Sequence, residues 1–86
     1  MAQTRGFVQR LKVTGGFVMA WAYIGPTANN TELLIVTAPA GLSAEDAAAR
    51  GALADALGAA LVSQQEVAAA HADNGAEITA LTIPPF

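Results

Sequence analysis

Residues 17–24 read Phe-Val-Met-Ala-Trp-Ala-Tyr-Ile, eight consecutive apolar residues without a charge. A strand that is apolar on both sides must be covered on both sides. The chain offers only one long helical segment to provide that cover. One face of this strand is therefore expected to pack under the helix and the other against a partner.

Two further strands flank this run and predict an antiparallel meander. Residues 7–14 alternate between apolar and polar, which is typical of a half-buried strand. Gly15 and Gly16 predict a tight hairpin turn, because glycine adopts the positive φ angles that such turns need. Turn-forming residues at 25–30 predict a loop, and residues 31–38 predict the third strand.

An alanine-rich stretch after the third strand predicts the helix. Ser43 is a good N-cap, with Asp46 placed three residues later. The helical pattern runs over 44–73 and ends next to Gly75, a typical C-cap residue.

The length of that helix is a difficulty for a small sheet. It would span about 45 Å at 1.5 Å per residue, whereas eight-residue strands span about 27 Å. The helix is therefore expected either to break near Gly58 or Ser63 or to extend onto another subunit.

The element order predicts an α+β fold in a single domain, residues 1–86. A last strand over 77–83 gives the order β-β-β-α-β, a four-stranded sheet with a long helix on one face. The right-handed crossover rule places the last strand parallel to the first, in the spatial order 3-2-1-4.

The two sides of the strands differ in side-chain size. The bulkier side, which includes Phe17, Trp21, Tyr23, Leu33 and Ile35, is assigned to the core under the helix, because large aromatic residues bury much area. The side with the smaller side chains would form an apolar patch larger than a monomer usually exposes. It therefore predicts an oligomer interface. The interface residues are Val18, Ala20, Ala22, Ile24, Leu34, Val36 and Ala38. Two alternatives are that the helical region folds over this side or that the strands close into a barrel.

The aromatic residues also suggest a pocket. If the helix leaves a gap, Trp21 and Tyr23 would line an apolar cavity with polar tips, as in small-molecule sites; core packing is the alternative. The pocket residues are Phe17, Met19, Trp21, Tyr23 and His71.

Catalytic and metal chemistry find little support. The chain has no cysteine, which excludes disulfides and thiolate metal sites, and one histidine. His71, near the predicted end of the helix, is expected to be solvated or capping. The glycines match neither dinucleotide nor phosphate loops, and no serine lies in a nucleophile elbow. No catalytic residue, metal or cofactor is predicted.

The charge pattern does not favour nucleic acid. The net charge is −3 and the pI about 4.7. Arg5, Arg10 and Lys12 lie together on the first strand, and phosphate contact is one interpretation. Solvated strand charges are favoured, since no exposed aromatic pairing is expected beside them.

These observations favour a small non-catalytic, self-associating binding or adaptor protein. The alternative is a small-molecule-binding protein or minor enzyme with a pocket near Trp21 and Tyr23, for a small apolar ligand. No signal peptide or membrane span is recognised, which predicts a cytoplasmic protein. The alanine, glycine and arginine content is typical of GC-rich bacterial genomes.

Overall fold

The computed structural model describes residues 2–14, 17–39 and 41–84. Within these ranges the chain is α+β, with one antiparallel five-stranded sheet and one helix. The elements are β1 (Ala2–Val13), β2 (Val18–Thr27), β3 (Asn30–Thr37), α1 (Ala44–Ser63), β4 (Glu66–His71) and β5 (Ile78–Thr82). The spatial order is β3-β2-β1-β4-β5. None of the described helical residues forms a segment long and apolar enough to cross a membrane.

Strand β1 connects the two halves of the sheet. Its residues 2–7 pair with β4, and its residues 7–13 pair with β2. The register with β2 shifts between Val8 and Arg10, which leaves Gln9 as a bulge. A bulge bends a strand and increases its twist, so the sheet curls around its own helix-facing side.

The curling brings the two edges of the sheet together. Ile35 of β3 forms a parallel bridge with Glu77, and the Ile35 amide donates to the Ala76 carbonyl at 2.8 Å. Arg50 of α1 reinforces this junction by donating to the Thr37 carbonyl at 2.6 Å and to Glu77 Oε1 at 3.0 Å. The result is a partly closed barrel.

The inner face of the barrel and α1 form the hydrophobic core. From the helix, Leu57 and Ala60 are buried in it, and Leu53 and Leu61 pack against it. The buried strand residues of this inner face are Val8, Ala20, Ala22, Ile24, Leu34, Val36, Val67, Ala69 and Ile78.

The assignment of the two sheet faces is therefore the reverse of the prediction. Five of the seven predicted interface residues are 0–1% exposed and belong to the core, and the other two are half-buried. The five are Ala20, Ala22, Ile24, Leu34 and Val36; the two are Val18 and Ala38. The chain covers this side itself, through the helix and the closing of the strands. Those are the two alternatives that the sequence left open.

The predicted helix is too long, because residues 66–71 form β4. Helix α1 ends at Ser63, one of the two break points expected, and Gln64 takes a left-handed φ of 55° with its N–H directed at the Ala60 and Leu61 carbonyls. Alanine favours helix in isolation. Here the small side chains of 68–70 lie between two neighbouring strands, and this tertiary pairing overrides the local preference.

Other predicted boundaries agree with the structure or shift slightly. Ser43 caps α1, its hydroxyl accepting from the Asp46 amide at 3.1 Å. The predicted last strand is β5, but its neighbour is β4, and the pairing is antiparallel. The predicted parallel pairing with β1 is wrong, because β4 occupies that position. The Gly15 and Gly16 turn lies outside the described residues.

Candidate functional site

The outer face of the sheet, on the side away from the core, carries two rows of side chains across β1, β2 and β3. Each row has a cation on β1, an aromatic ring on β2 and an aliphatic side chain on β3. The rows are Lys12, Trp21 and Ile35, and Arg10, Tyr23 and Leu33. Directly opposed residues of antiparallel strands lie on the same face, so the six side chains form one surface, which we call the outer patch.

Each ring of the outer patch has a cation beside it. Lys12 Nζ lies 5.2 Å from the centre of the Trp21 ring, and Arg10 Cζ lies 5.6 Å from the centre of the Tyr23 ring. Both rings are partly exposed and both cations are exposed. A cation–π contact at an exposed site is worth about 0.5–1 kcal/mol, so these pairs hold the rings and charges together without locking them.

Two shallow grooves lie next to each other along the outer patch. One, of about 190 Å³, is lined by Arg10, Lys12, Trp21, Tyr23 and Leu33. The other, of about 350 Å³, is lined by Gln9, Arg10, Tyr23, Ala28 and Thr31. They share Arg10 and Tyr23, and no described acidic side chain lines either one.

The acidic residues that give the chain its negative charge therefore lie outside the two grooves. Two of the four basic residues of the chain lie on the outer patch. Arg5, which the sequence groups with them, instead lies beside Glu66 of β4, with 3.5 Å between Nε and Oε2. The outer patch is locally basic although the chain has a net charge of −3.

The predicted pocket residues are only partly brought together. Trp21 and Tyr23 share a face, as expected, but it is the outer face and not the one under the helix. Met19 lies at a register shift of β2 and packs against the core, and Phe17 is 63% exposed. His71 lies on β4, away from both grooves.

His71 is a buried structural residue, 4% exposed, and not the solvated or capping histidine that was predicted. The prediction failed because it placed His71 near a helix end, whereas this segment is β4. Its Nε2 lies 2.9 Å from the Thr4 hydroxyl, and its Nδ1 lies 2.9 and 3.0 Å from the carbonyls of Ala72 and Gly75. Carbonyls only accept, so Nδ1 carries a hydrogen.

Thr4 extends this network to a third strand. Its hydroxyl donates to the Glu32 carboxylate of β3, so β1, β3 and β4 are linked through side chains. Both ring nitrogens of His71 are engaged and the ring is enclosed. The network therefore connects strands, and His71 offers no free ring nitrogen to a substrate.

A second network fastens the opposite junction, between β3 and the segment before β5. The Thr37 hydroxyl donates to Glu77 Oε1 at 2.9 Å, and Arg50 Nη1 donates to the same oxygen at 3.0 Å. The hydrogen bond from Thr37, followed by that from Arg50, lowers the pKa of Glu77 below its ordinary 4.5, against a smaller opposing effect of desolvation. Both bonds favour the charged carboxylate.

The described residues contain no group of three or more histidine, aspartate or glutamate side chains placed to hold a metal ion. Sequence reasoning also missed Gln9 and Thr31, which line the larger groove. No signal in the sequence marks them, because their position depends on the bulge at Gln9 and on the pairing of β1, β2 and β3.

The chain matches no known protein family model, no curated protein and no solved structure.

Proposed function

We propose that this protein is a non-catalytic binding module for single-stranded nucleic acid, and that the outer patch is its binding surface. The observation that carries the proposal is the pairing of Trp21 with Lys12 and of Tyr23 with Arg10 along two adjacent grooves that no described acidic side chain lines. Surfaces that bind single strands combine basic grooves with aromatic rings on which bases stack.

Base stacking on Trp21 and Tyr23 is expected to be stronger than the cation–π contacts that these rings make within the protein. Stacking of one base on an aromatic ring is worth about 1–3 kcal/mol, whereas each internal cation–π pair is worth about 0.5–1 kcal/mol. A base can therefore displace the cation from the ring. The displaced Lys12 or Arg10 remains next to the ring and can contact a phosphate.

The spacing of the rings selects an extended strand. Trp21 and Tyr23 are two residues apart on β2, which is about 6.6 Å along a strand. Neighbouring bases in a stacked strand rise only about 3.4 Å. A stacked pair of neighbouring bases cannot cover both rings, and a duplex hides its base faces. An unstacked single strand has exposed base faces, and its bases can be far enough apart to cover both rings.

The sequence-based expectation against nucleic acid depended on the net charge of −3 and on the absence of an exposed aromatic pairing beside the basic residues. The structure supplies that pairing, because β1 and β2 align in register. Five-stranded, partly open barrels such as OB-folds bind oligonucleotides over the face of their second and third strands. This likeness is one of architecture alone. It agrees with the proposal, whose main evidence is the cation–aromatic pairs along the grooves.

The test is titration of a fluorescently labelled 12-mer of mixed sequence, followed by anisotropy and by quenching of Trp21, which is the only tryptophan. We expect binding with a log–log salt slope of about −1.4, for two phosphates at −0.7 each. Trp21→Ala should weaken binding roughly 5- to 150-fold. Arg5→Gln, which removes a cation outside both grooves, is the matched control and should change affinity little.

Three results would count against the proposal: no binding at low salt, binding that does not weaken with salt, or equal loss in Trp21→Ala and Arg5→Gln. Tighter binding of a small aromatic compound than of the oligonucleotide would favour the small-molecule alternative that the sequence also suggested.

Self-association remains a separate prediction. The residues proposed for it are largely buried, so a dimer would use another surface. Exposed apolar side chains exist, such as Val13 and Phe17, each 63% exposed. Sedimentation equilibrium between 1 and 100 μM would decide it, and a monomer over the whole range would exclude a stable oligomer.

A further inference from the structure

The larger groove contains more hydrogen-bonding capacity than a stacking surface needs. Its lining includes the Gln9 amide, the Arg10 guanidinium and the hydroxyls of Tyr23 and Thr31. Among the described residues, neither hydroxyl is hydrogen-bonded, and Arg10 makes only its contact with the Tyr23 ring. A concave site with a few convergent polar groups is the usual arrangement for recognising a specific ligand.

Gln9 is held in place at this groove by the fold. It is the bulge residue of β1, and its Nε2 donates to the Gly25 carbonyl at 3.1 Å. The amide keeps one further N–H and both lone pairs of its oxygen. Gly25 is buried within the β2–β3 hairpin, so the bond fixes the amide against rigid backbone.

We propose that the groove beyond Tyr23 reads one base of the bound strand, and that Gln9 selects adenine there. This inference rests on the proposed function. A strand that stacks one base on Tyr23 carries its next base into the adjoining groove, since the two grooves share Tyr23 and Arg10.

The choice of adenine follows from the amide. A glutamine side chain pairs through two hydrogen bonds with an adenine edge, accepting from the exocyclic amine and donating to a ring nitrogen. The Thr31 hydroxyl can donate or accept and supplements this pairing. Arg10, already placed over Tyr23, remains available for the phosphate.

The experiment compares labelled dA, dC and dT 12-mers by anisotropy, at the same low salt, against the unaltered chain and Gln9→Ala. We expect dA to bind tightest, at least about fivefold tighter than dT, the lower end for one well-formed pair. Gln9→Ala should remove this preference, because it should weaken binding of dA at least about fivefold more than binding of dT. Gln3→Ala removes an exposed glutamine of the same strand that lines neither groove, and should retain the preference.

The outcomes separate this inference from the proposed function. If all three oligomers bind equally, or if dC or dT binds tightest, the outer patch binds strands but Gln9 does not select adenine. If Gln9→Ala weakens all three alike, Gln9 supports the fold only. Thr31→Val, which should weaken binding of dA more than binding of dC or dT, provides a second variant in case Gln9→Ala unfolds. Absence of binding by every oligomer overturns both proposals.

Discussion

The two sides of β2 contrast sharply, although they alternate along one strand. Ala20, Ala22 and Ile24 point inward and are 0–1% exposed, whereas Trp21 and Tyr23 point outward and remain partly exposed. Packing alone would place the largest apolar residues inside, since they gain most from burial. The reverse arrangement leaves two aromatic rings at the surface, where we propose that they stack on the bases of a bound strand.

The geometry of the barrel explains why the small side chains are inside. The sheet curls until β3 meets the segment before β5, and Leu57 and Ala60 of α1 are buried against its inner face. Small residues on the concave side allow that close packing, because protein interiors are filled to near-crystalline density. The aromatic side chains fit on the convex side.

The strongest test of the contrast uses two adjacent leucines. Leu34 is 0% exposed on the inner face, and Leu33 is 41% exposed on the outer patch. We expect Leu34→Ala to lower the free energy of unfolding by about 2–5 kcal/mol through the cavity it leaves. Leu33→Ala should cost less than about 1 kcal/mol. Urea denaturation of both variants measures this, and equal losses would contradict the assignment of faces.

The next effect concerns the hairpin that supports the outer patch. A Cβ added at Gly25 would lie 1.9 Å from the Asn30 carbonyl oxygen and 2.8 Å from Thr31 Cα. Both are backbone atoms that cannot rotate away. We expect Gly25→Ala to destabilise the fold by about 1–3 kcal/mol, the usual cost of overpacking. Gly51→Ala is the control, because nothing lies within 4 Å of the added methyl, and it should be neutral or stabilising.

A good part of this structure follows from the sequence, and the remainder depends on long-range pairing. The first three strands and the Ser43 cap follow from alternation and local cap chemistry. The segment 66–71 could not be recognised as β4, because its alanines favour helix until neighbouring strands fix them. The common face of Trp21 and Tyr23 follows from their spacing. The side on which that face lies depends on the closing of the barrel, which no local pattern records.

A smaller effect on the free energy of unfolding is expected at Glu77, which joins the segment before β5 to β3. Because the pKa of Glu77 is lowered in the folded state, its contribution is fully present above the ordinary pKa of 4.5 and is lost as pH falls through the folded value. The side chain is about half exposed, so we expect Glu77→Gln to cost on the order of 0.5–1 kcal/mol at pH 7. Urea denaturation at pH 7 and pH 3 should show a smaller difference at pH 3 than at pH 7. A difference that persists unchanged at pH 3 would exclude the charged carboxylate as its source.

The smallest effect on stability should accompany a clear effect on binding. Lys12 contacts only the Trp21 ring among the described residues, so Lys12→Gln should change the free energy of unfolding by no more than about 1 kcal/mol. If Lys12 meets a phosphate, the same variant should reduce the magnitude of the log–log salt slope by about 0.7. Oligonucleotide titration at several salt concentrations measures the slope, and urea denaturation measures the stability. An unchanged slope would show that Lys12 does not contact a phosphate. A large loss of stability would show that the outer face, like the inner face, stabilises the fold.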